Sequence, residues 1–309
     1  MKFEKKDLGL DKGLKREWII TNGIGGYASS TIIGANTRKY HGLLVSPLSA
    51  PARRYLVLSK LDESIVLDGR KHDLYTNVCK NYISQGFNYL ESFQKEILPV
   101  FKYKVEDTEI TKTICMEHGK NTVEVYYKIR NGNSKAKLEL APIFNFRDFH
   151  SMNTNHNFEI SQEIKQNKIK LVIDKNISHP VYMKISEGNY IEHINDMFYN
   201  MFYIEEEKRG FFPEENHIVS GVFETYIEPN EEKDISFICS MEENIDEIDA
   251  KGLINNEIIR VNNIYNESLL IDNGKENKTK EEREKDELAR LYMIAADNFV
   301  VYRPTFGLH

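Results

Sequence analysis

The chain has 309 residues, 40% of them hydrophobic, with 16 Phe and 17 Tyr, enough for a substantial core and inconsistent with a disordered protein. Its formal net charge of -7 and pI of about 5.8 argue against nucleic acid or an anionic membrane as partner, because both need a basic footprint. A neutral ligand such as a sugar stays compatible. Cys79, Cys115 and Cys239 lie far apart without a CxxC pair, as reduced thiols in a cytoplasmic protein would. Residues 1–7 carry charges but no apolar signal-peptide core, and no apolar run approaches a membrane span. A cytoplasmic location is therefore expected.

From Trp18 to Ser240 the pattern is one of short alternating or apolar runs broken by Asn, Asp and Gly. Strands are predicted at 18–21, 42–46, 55–58 and 64–67, the last closed by the hairpin signal Asp68-Gly69. Further strands are predicted at 91–105, 108–116, 122–130 and 137–144, with Asn131-Gly132 as a turn. The set is completed by 168–174, 181–186, 197–206, 217–227 and 234–240. Many strands without long intervening helices make the expected fold mainly β, an antiparallel sandwich. After Ser240 the period changes. Ile254, Ile258, Val261, Ile264 and Tyr265 form one helical face, ended by Asp272-Asn273-Gly274. A second helix carries Leu288, Leu291, Ile294, Ala295 and Phe299, and Pro304 stops it. Its apolar face needs a partner, so the chain is expected to be cut from a longer protein.

The segment from Glu17 to Val45 is the richest in chemistry. It holds the only tryptophan, Trp18, the closely spaced Gly23, Gly25 and Gly26, then Arg38 and Tyr40-His41-Gly42. Gly23 to Ala28 formally matches a dinucleotide-binding GxGxxA pattern, but that mechanism needs a following helix N-terminus. Ser29-Ser-Thr-Ile-Ile is β-branched instead, and no acidic residue appears before Asp62. A tight turn between strands is expected, and no cofactor. Arg147, Asp148 and His150 can form one hydrogen-bonded cluster, either a binding group or a structural ion pair at a sheet edge. His150 and His156 lack the further ligands a metal would require. The run from Glu205 to Glu215 reads as a solvated hairpin turning at Gly210, or as a source of paired carboxylates. Residues 275–285 read as a solvated linker.

The opening segment resembles the archaeal and bacterial glycogen debranching enzymes, the amylo-α-1,6-glucosidase family. The matching residues are Glu17, Trp18, Thr21, Asn22, Gly23, Gly25, Gly26, Tyr27, Ala28 and Ser29. Thr37, Arg38, Tyr40, His41, Gly42, Leu43 and Leu44 follow. Arg147-Asp148-x-His150 and Phe202-Tyr203-x-x-Glu206-x-x-Arg209-Gly210 resemble two later blocks of that family. Ser220-Gly221 departs from its usual Pro-Gly.

The resemblance implies a β-supersandwich of the galactose mutarotase and glucoamylase N-domain kind over residues 1–240. It also implies a helical linker over 241–285, and the first helix of an (α/α)6 catalytic barrel over 286–309, with Arg303-Pro304-Thr305 near that barrel's first active-site loop. The implied partners are glycogen or a related α-glucan and the chain's own catalytic barrel. No catalytic residue is assigned here. Asn22, Tyr27, Arg38, His41, Arg147, Asp148 and His150 are the residues expected to line the glucan cleft, or else to hold the domain together. Two alternatives stay open: a sugar mutarotase or epimerase using His41 or His150 with Asp148 as acid and base, and a non-catalytic carbohydrate-binding module.

Overall fold

The computed structural model describes residues 1–49, 53–155, 158–173, 179–270 and 279–302. The expectations placed on His156, on 272–274 and on 303–309 lie outside the described residues.

Two antiparallel sheets face each other. The first runs in the order Lys2–Glu4, Leu90–Lys95, Pro99–Val105, Thr108–Met116, Thr122–Arg130, Glu232–Ser240, Val181–Ile185, Lys168–Ile173 and Ile160–Lys165. The second runs Glu17–Thr21, Tyr27–Thr31, Gly42–Ser49, Arg53–Leu67, Ala136–Asp148, Glu214–Ile227, Asn189–Phe202, Val78–Cys79 and Tyr82–Ile83, with Arg70–Asp73 paired to Arg53–Leu67. Alternation produces the packing: Val123, Val125, Tyr127 and Ile129 on one strand and Ile110 and Ile114 on its neighbour all point inward. Trp18 meets Phe101 of the opposite sheet edge-on, centroids 6.3 Å apart, while its indole N–H donates to Thr31 O at 3.1 Å. Burying each such side chain contributes about 1.5–3 kcal/mol. Asp68 and Gly69 both adopt positive φ, 48° and 77°, as the predicted tight hairpin requires.

Arg53–Leu67 is one strand of 15 residues, where two short strands were expected. The polar stretch Ser59 to Ser64 interrupts the apolar pattern, yet it is buried and partnered. Lys112 and the Tyr127 hydroxyl both bond Glu63 inside the sandwich. Lys60, 3.4 Å from Asp62, donates to Thr76 O at 2.7 Å on the other face. The run predicted at 91–105 divides instead at Glu96, and Pro99 opens the next strand, where a missing N–H costs least.

The first long helix, Ala250–Leu270, packs Leu253 and Ile254 onto Leu98 and Cys115, outside the first sheet. The second begins at Lys280, inside the stretch expected to be linker, because Thr279 and Glu282 form a reciprocal capping box. It runs to Asp297 and is tied to the first helix by Arg260–Asp297 at 2.6 Å. Ile294 is its buried side chain; Leu288, Leu291 and Tyr292 remain exposed, as do Phe299, Val300 and Tyr302 beyond its end.

Glu124 pairs in register with Cys115, which lies under the first helix. It receives a hydrogen bond from Ser236 Oγ at 2.8 Å, and its other oxygen has no partner among the described residues. Burial pushes its carboxyl up to about 8. The folded state therefore keeps a proton that the unfolded chain releases above its ordinary value, and stability falls as pH rises through that window. Glu124→Gln is expected to flatten the decline in Tm between pH 5 and pH 8, measured by thermal melts; an unchanged slope would contradict it.

Candidate functional site

The three sequence blocks singled out above meet in space. The first contributes a turn from Thr37 to His41, closed by His41 N donating to Arg38 O at 3.0 Å. Thr37 N donates to His41 Nδ1 at 3.1 Å, which places the ring proton on Nε2, 3.7 Å from Glu17 Oε1. Arg38 Nε donates to the same oxygen at 2.7 Å. Burial alone would raise the Glu17 carboxyl, but His41 and Arg38 beside it bring it down to about 2. The Tyr27 hydroxyl donates to Tyr40 O at 2.8 Å and holds the turn from beneath.

Arg147 locks this turn to the other two blocks. It donates from Nη2 to Lys39 O at 2.8 Å and to Glu215 Oε2 at 2.9 Å, and from Nε to Glu215 Oε1. Glu215 also accepts from the Tyr203 hydroxyl at 2.6 Å and from Asn153 N at 2.8 Å. Arg147 is 6% exposed and Glu215 1%, so the pair is out of water and bidentate. Burial drives the Glu215 carboxyl upward, but Arg147, then His217, hold it below its ordinary value. The solvated hairpin expected around Gly210 is instead a short helix, Ile204–Lys208. Its Glu206 is fully buried and bonds Lys39 N and Arg209, each at 3.4 Å.

The third part is a rim. Asp148 Oδ1 accepts from His150 N at 2.9 Å, so the carboxylate orients the turn rather than the imidazole. The His150 ring meets the Tyr40 hydroxyl at 3.2 Å, and Lys39 Nζ donates to His150 O at 2.7 Å. Phe149 meets Tyr40 edge-on at 5.5 Å and lies tilted against the His150 ring at 4.0 Å. Phe211 and Phe212 stay more than half exposed, with Lys39 Nζ 5.7 Å from the Phe211 ring.

Tyr27, Arg38 and His41 open on a cleft of about 590 Å³, together with Glu17, Trp18 and Tyr40. Its opposite side is the second helix, through Leu291 and Ile294, and Phe299 just beyond the helix end. Arg147, Asp148 and His150 do not line this cleft; Arg147 and His150 bond the turn that does, and Asp148 holds the His150 backbone. Asn22 is elsewhere: it is fully buried and accepts from Ile24 N and Gly26 N at 3.2 and 2.8 Å. Its amide nitrogen donates to Lys120 O and Asn121 Oδ1, so the side chain is spent on the glycine loop. That loop joins Glu17–Thr21 to Tyr27–Thr31 as a hairpin, and no helix follows to receive a phosphate. Among the described residues no group of three or more His, Cys, Asp or Glu is placed to hold a metal.

Glu17, Tyr40, Tyr203, Glu206 and Glu215 carry as much of the geometry as the residues proposed from sequence. Glu215 and His217 had one legible signal: on a strand they share a face with apolar neighbours, which marks both as buried and in need of partners.

These features define a two-sheet antiparallel sandwich domain with a mostly apolar, aromatic cleft and trailing helices. The chain belongs to the glycogen debranching enzyme N-terminal family, whose model matches residues 16–234. Comparison with curated proteins finds no match. Among solved structures, a putative kojibiose phosphorylase from human microbiome is similar at 10% identity, over 91% of this chain and 36% of its own, with a TM-score of 0.39. A bacterial glucoamylase complexed with acarbose is similar at 13% identity, over 86% and 39%, with a TM-score of 0.40. This chain thus spans less than two-fifths of the length of either.

Proposed function

We propose that this chain is the sandwich domain of a cytoplasmic glycoside hydrolase that cleaves α-1,6-glucosidic branch points in glycogen or a related α-glucan. Its role is to brace a following (α/α)6 catalytic barrel and to supply one wall of the glucan cleft. The observation that carries this reading is that blocks 147–150 and 203–215 both hold the 37–41 turn, which lines the cleft. Membership of the debranching family supports a glucan as the ligand of this wall.

Such hydrolysis needs one carboxyl to protonate the leaving oxygen and another to activate water or attack the sugar. The carboxylates of this site suit neither task. Glu17 is engaged by Arg38, Glu206 by Arg209 and Glu215 by Arg147. An ion-paired carboxylate with a lowered affinity for protons, as at Glu17 and Glu215, is a poor general acid at neutral pH. The chemistry therefore belongs to the barrel. In this assignment Tyr27, Arg38 and His41 face the sugar. Arg147 positions the Lys39 backbone, and Asp148 and His150 shape the rim.

Glycogen pull-down and an α-1,6 hydrolysis assay, on this chain and on a barrel-extended one, test the reading. Hydrolysis is expected only with the barrel present. Arg38→Ala is expected to weaken glucan binding about tenfold to a hundredfold, the loss of one charged hydrogen-bonding group. Branch-point turnover by the 309 residues alone, or binding indifferent to Arg38, would overturn it.

A further inference from the structure

The cleft has a far wall, and the chain carries its own fastening for it. Midway along the second helix, Arg290 bonds Glu96 of the sandwich at 3.0 Å. Beyond the helix end, the chain comes down on the glycine loop. Tyr302 N donates to Gly23 O at 2.7 Å, and Thr21 Oγ1 donates to Asn298 Oδ1 at 3.4 Å. The loop is shaped in advance to receive it. Gly23 and Gly25 have φ of 74° and 98°, conformations in which a side chain is strained. Arg54 Nε holds Gly25 O at 2.7 Å, the buried Asn22 amide holds the loop from within, and Val301 lies 3.7 Å from where a Gly25 Cβ would stand.

We infer that the glycine loop is a docking site for the 298–302 segment of this same chain, and that this docking makes the cleft a two-sided oligosaccharide site with Phe299 on its second wall. The second part rests on the glucan reading above; the first does not. Phe299 lines the cleft while 86% exposed, so one ring face is open for a pyranose to stack upon. Across from it, Tyr27 and Tyr40 offer aromatic surface, and the Glu17–Arg38 pair cancels its own charge. Mostly apolar walls with a few convergent polar groups describe a small-molecule site, and a neutral polyhydroxylated ligand leaves that ion pair intact.

Hydrogen–deuterium exchange and maltoheptaose titration of the 309-residue chain test both parts. The Tyr302 amide is expected to exchange at least about tenfold more slowly than an open one. Tyr302→Pro, which removes the donor without touching the sandwich, is expected to speed exchange at residues 298–301 and to raise the maltoheptaose Kd about tenfold. Gly25→Val should do the same from the loop side. Phe299→Ala is expected to raise Kd while leaving the Tyr302 amide protected. An unprotected Tyr302 amide in the unaltered chain would overturn the docking site. A Kd unmoved by Phe299→Ala would overturn the two-sided cleft. A protected Tyr302 amide with no sugar binding at all would sink the glucan reading and the two-sided site, and uphold the docking.

Discussion

Replacing Glu215 with Ala is expected to cost the fold about 3–5 kcal/mol, because it strands the Arg147 guanidinium in a dry site with its main counter-charge gone. Arg147→Met should cost a similar amount by leaving a buried carboxylate against the Tyr203 hydroxyl and Asn153 N. The double change, Arg147→Met with Glu215→Ala, should cost clearly less than the sum, since neither charge then remains to be desolvated. Urea unfolding of the three variants measures this, with the midpoint shift read at constant slope. Additive losses, or single losses below about 1 kcal/mol, would show that the pair behaves as a solvated ion pair. The lesion should also reach the cleft: with Arg147 gone, Lys39 O loses its donor at 2.8 Å, and the Thr37–His41 turn is released. Glucan affinity should therefore fall in Arg147→Met although the side chain does not face the sugar.

The second large effect concerns acid stability. His217 is fully buried, with Nε2 3.6 Å from Glu215 Oε2. Its Nδ1 has no partner among the described residues. Burial pushes its pKa down from 6.5 to about 4, against the pull of Glu215. The unfolded chain therefore binds this proton at a pH where the folded state refuses it. The stability of the neutral ring is fully present above the unfolded value and is lost as pH falls toward the folded one. A shift of this size corresponds to a loss on the order of 3 kcal/mol by pH 4. Glu215, also held low, withdraws its own contribution at still lower pH. His217→Gln is expected to lose stability less steeply between about pH 6.5 and 4 in urea titrations. Equal slopes in the two proteins would place the acid sensitivity elsewhere.

Much of the fold could be read from side-chain alternation. Thr108–Met116 and Thr122–Arg130 begin and end where the pattern of inward Ile, Val and Tyr predicts. Strands with another logic were illegible. Tyr27–Thr31 is Ala, Ser and Thr after its first residue, small enough to pass for a loop, and lies inside the sheet with strands on both sides. The run predicted at 197–206 overshoots its strand: Tyr203 N turns away to Pro213 O, and three successive glutamates open a helix, as the N-terminal end of a helix dipole favours.

The site divides along the same line. Residue types and their order were enough to name the family, to mark Arg38, His41, Arg147, Asp148 and His150 as polar groups of interest, and to expect a turn between strands at the glycines. Pairing distances between blocks that lie 68 residues apart, as with Arg147 and Glu215, exist only once the sheets close, because a hydrogen bond depends on position and not on sequence spacing. That is why sequence left Asn22 open between the cleft and a structural role, where it braces the glycine loop, and why the run to Glu215 stayed open between a solvated hairpin and paired carboxylates, where Glu215 is a buried anchor. Burial sets charge behaviour in the same way: whether a glutamate is a neutral acid like Glu124 or a paired anion like Glu215 follows from which groups surround it after packing.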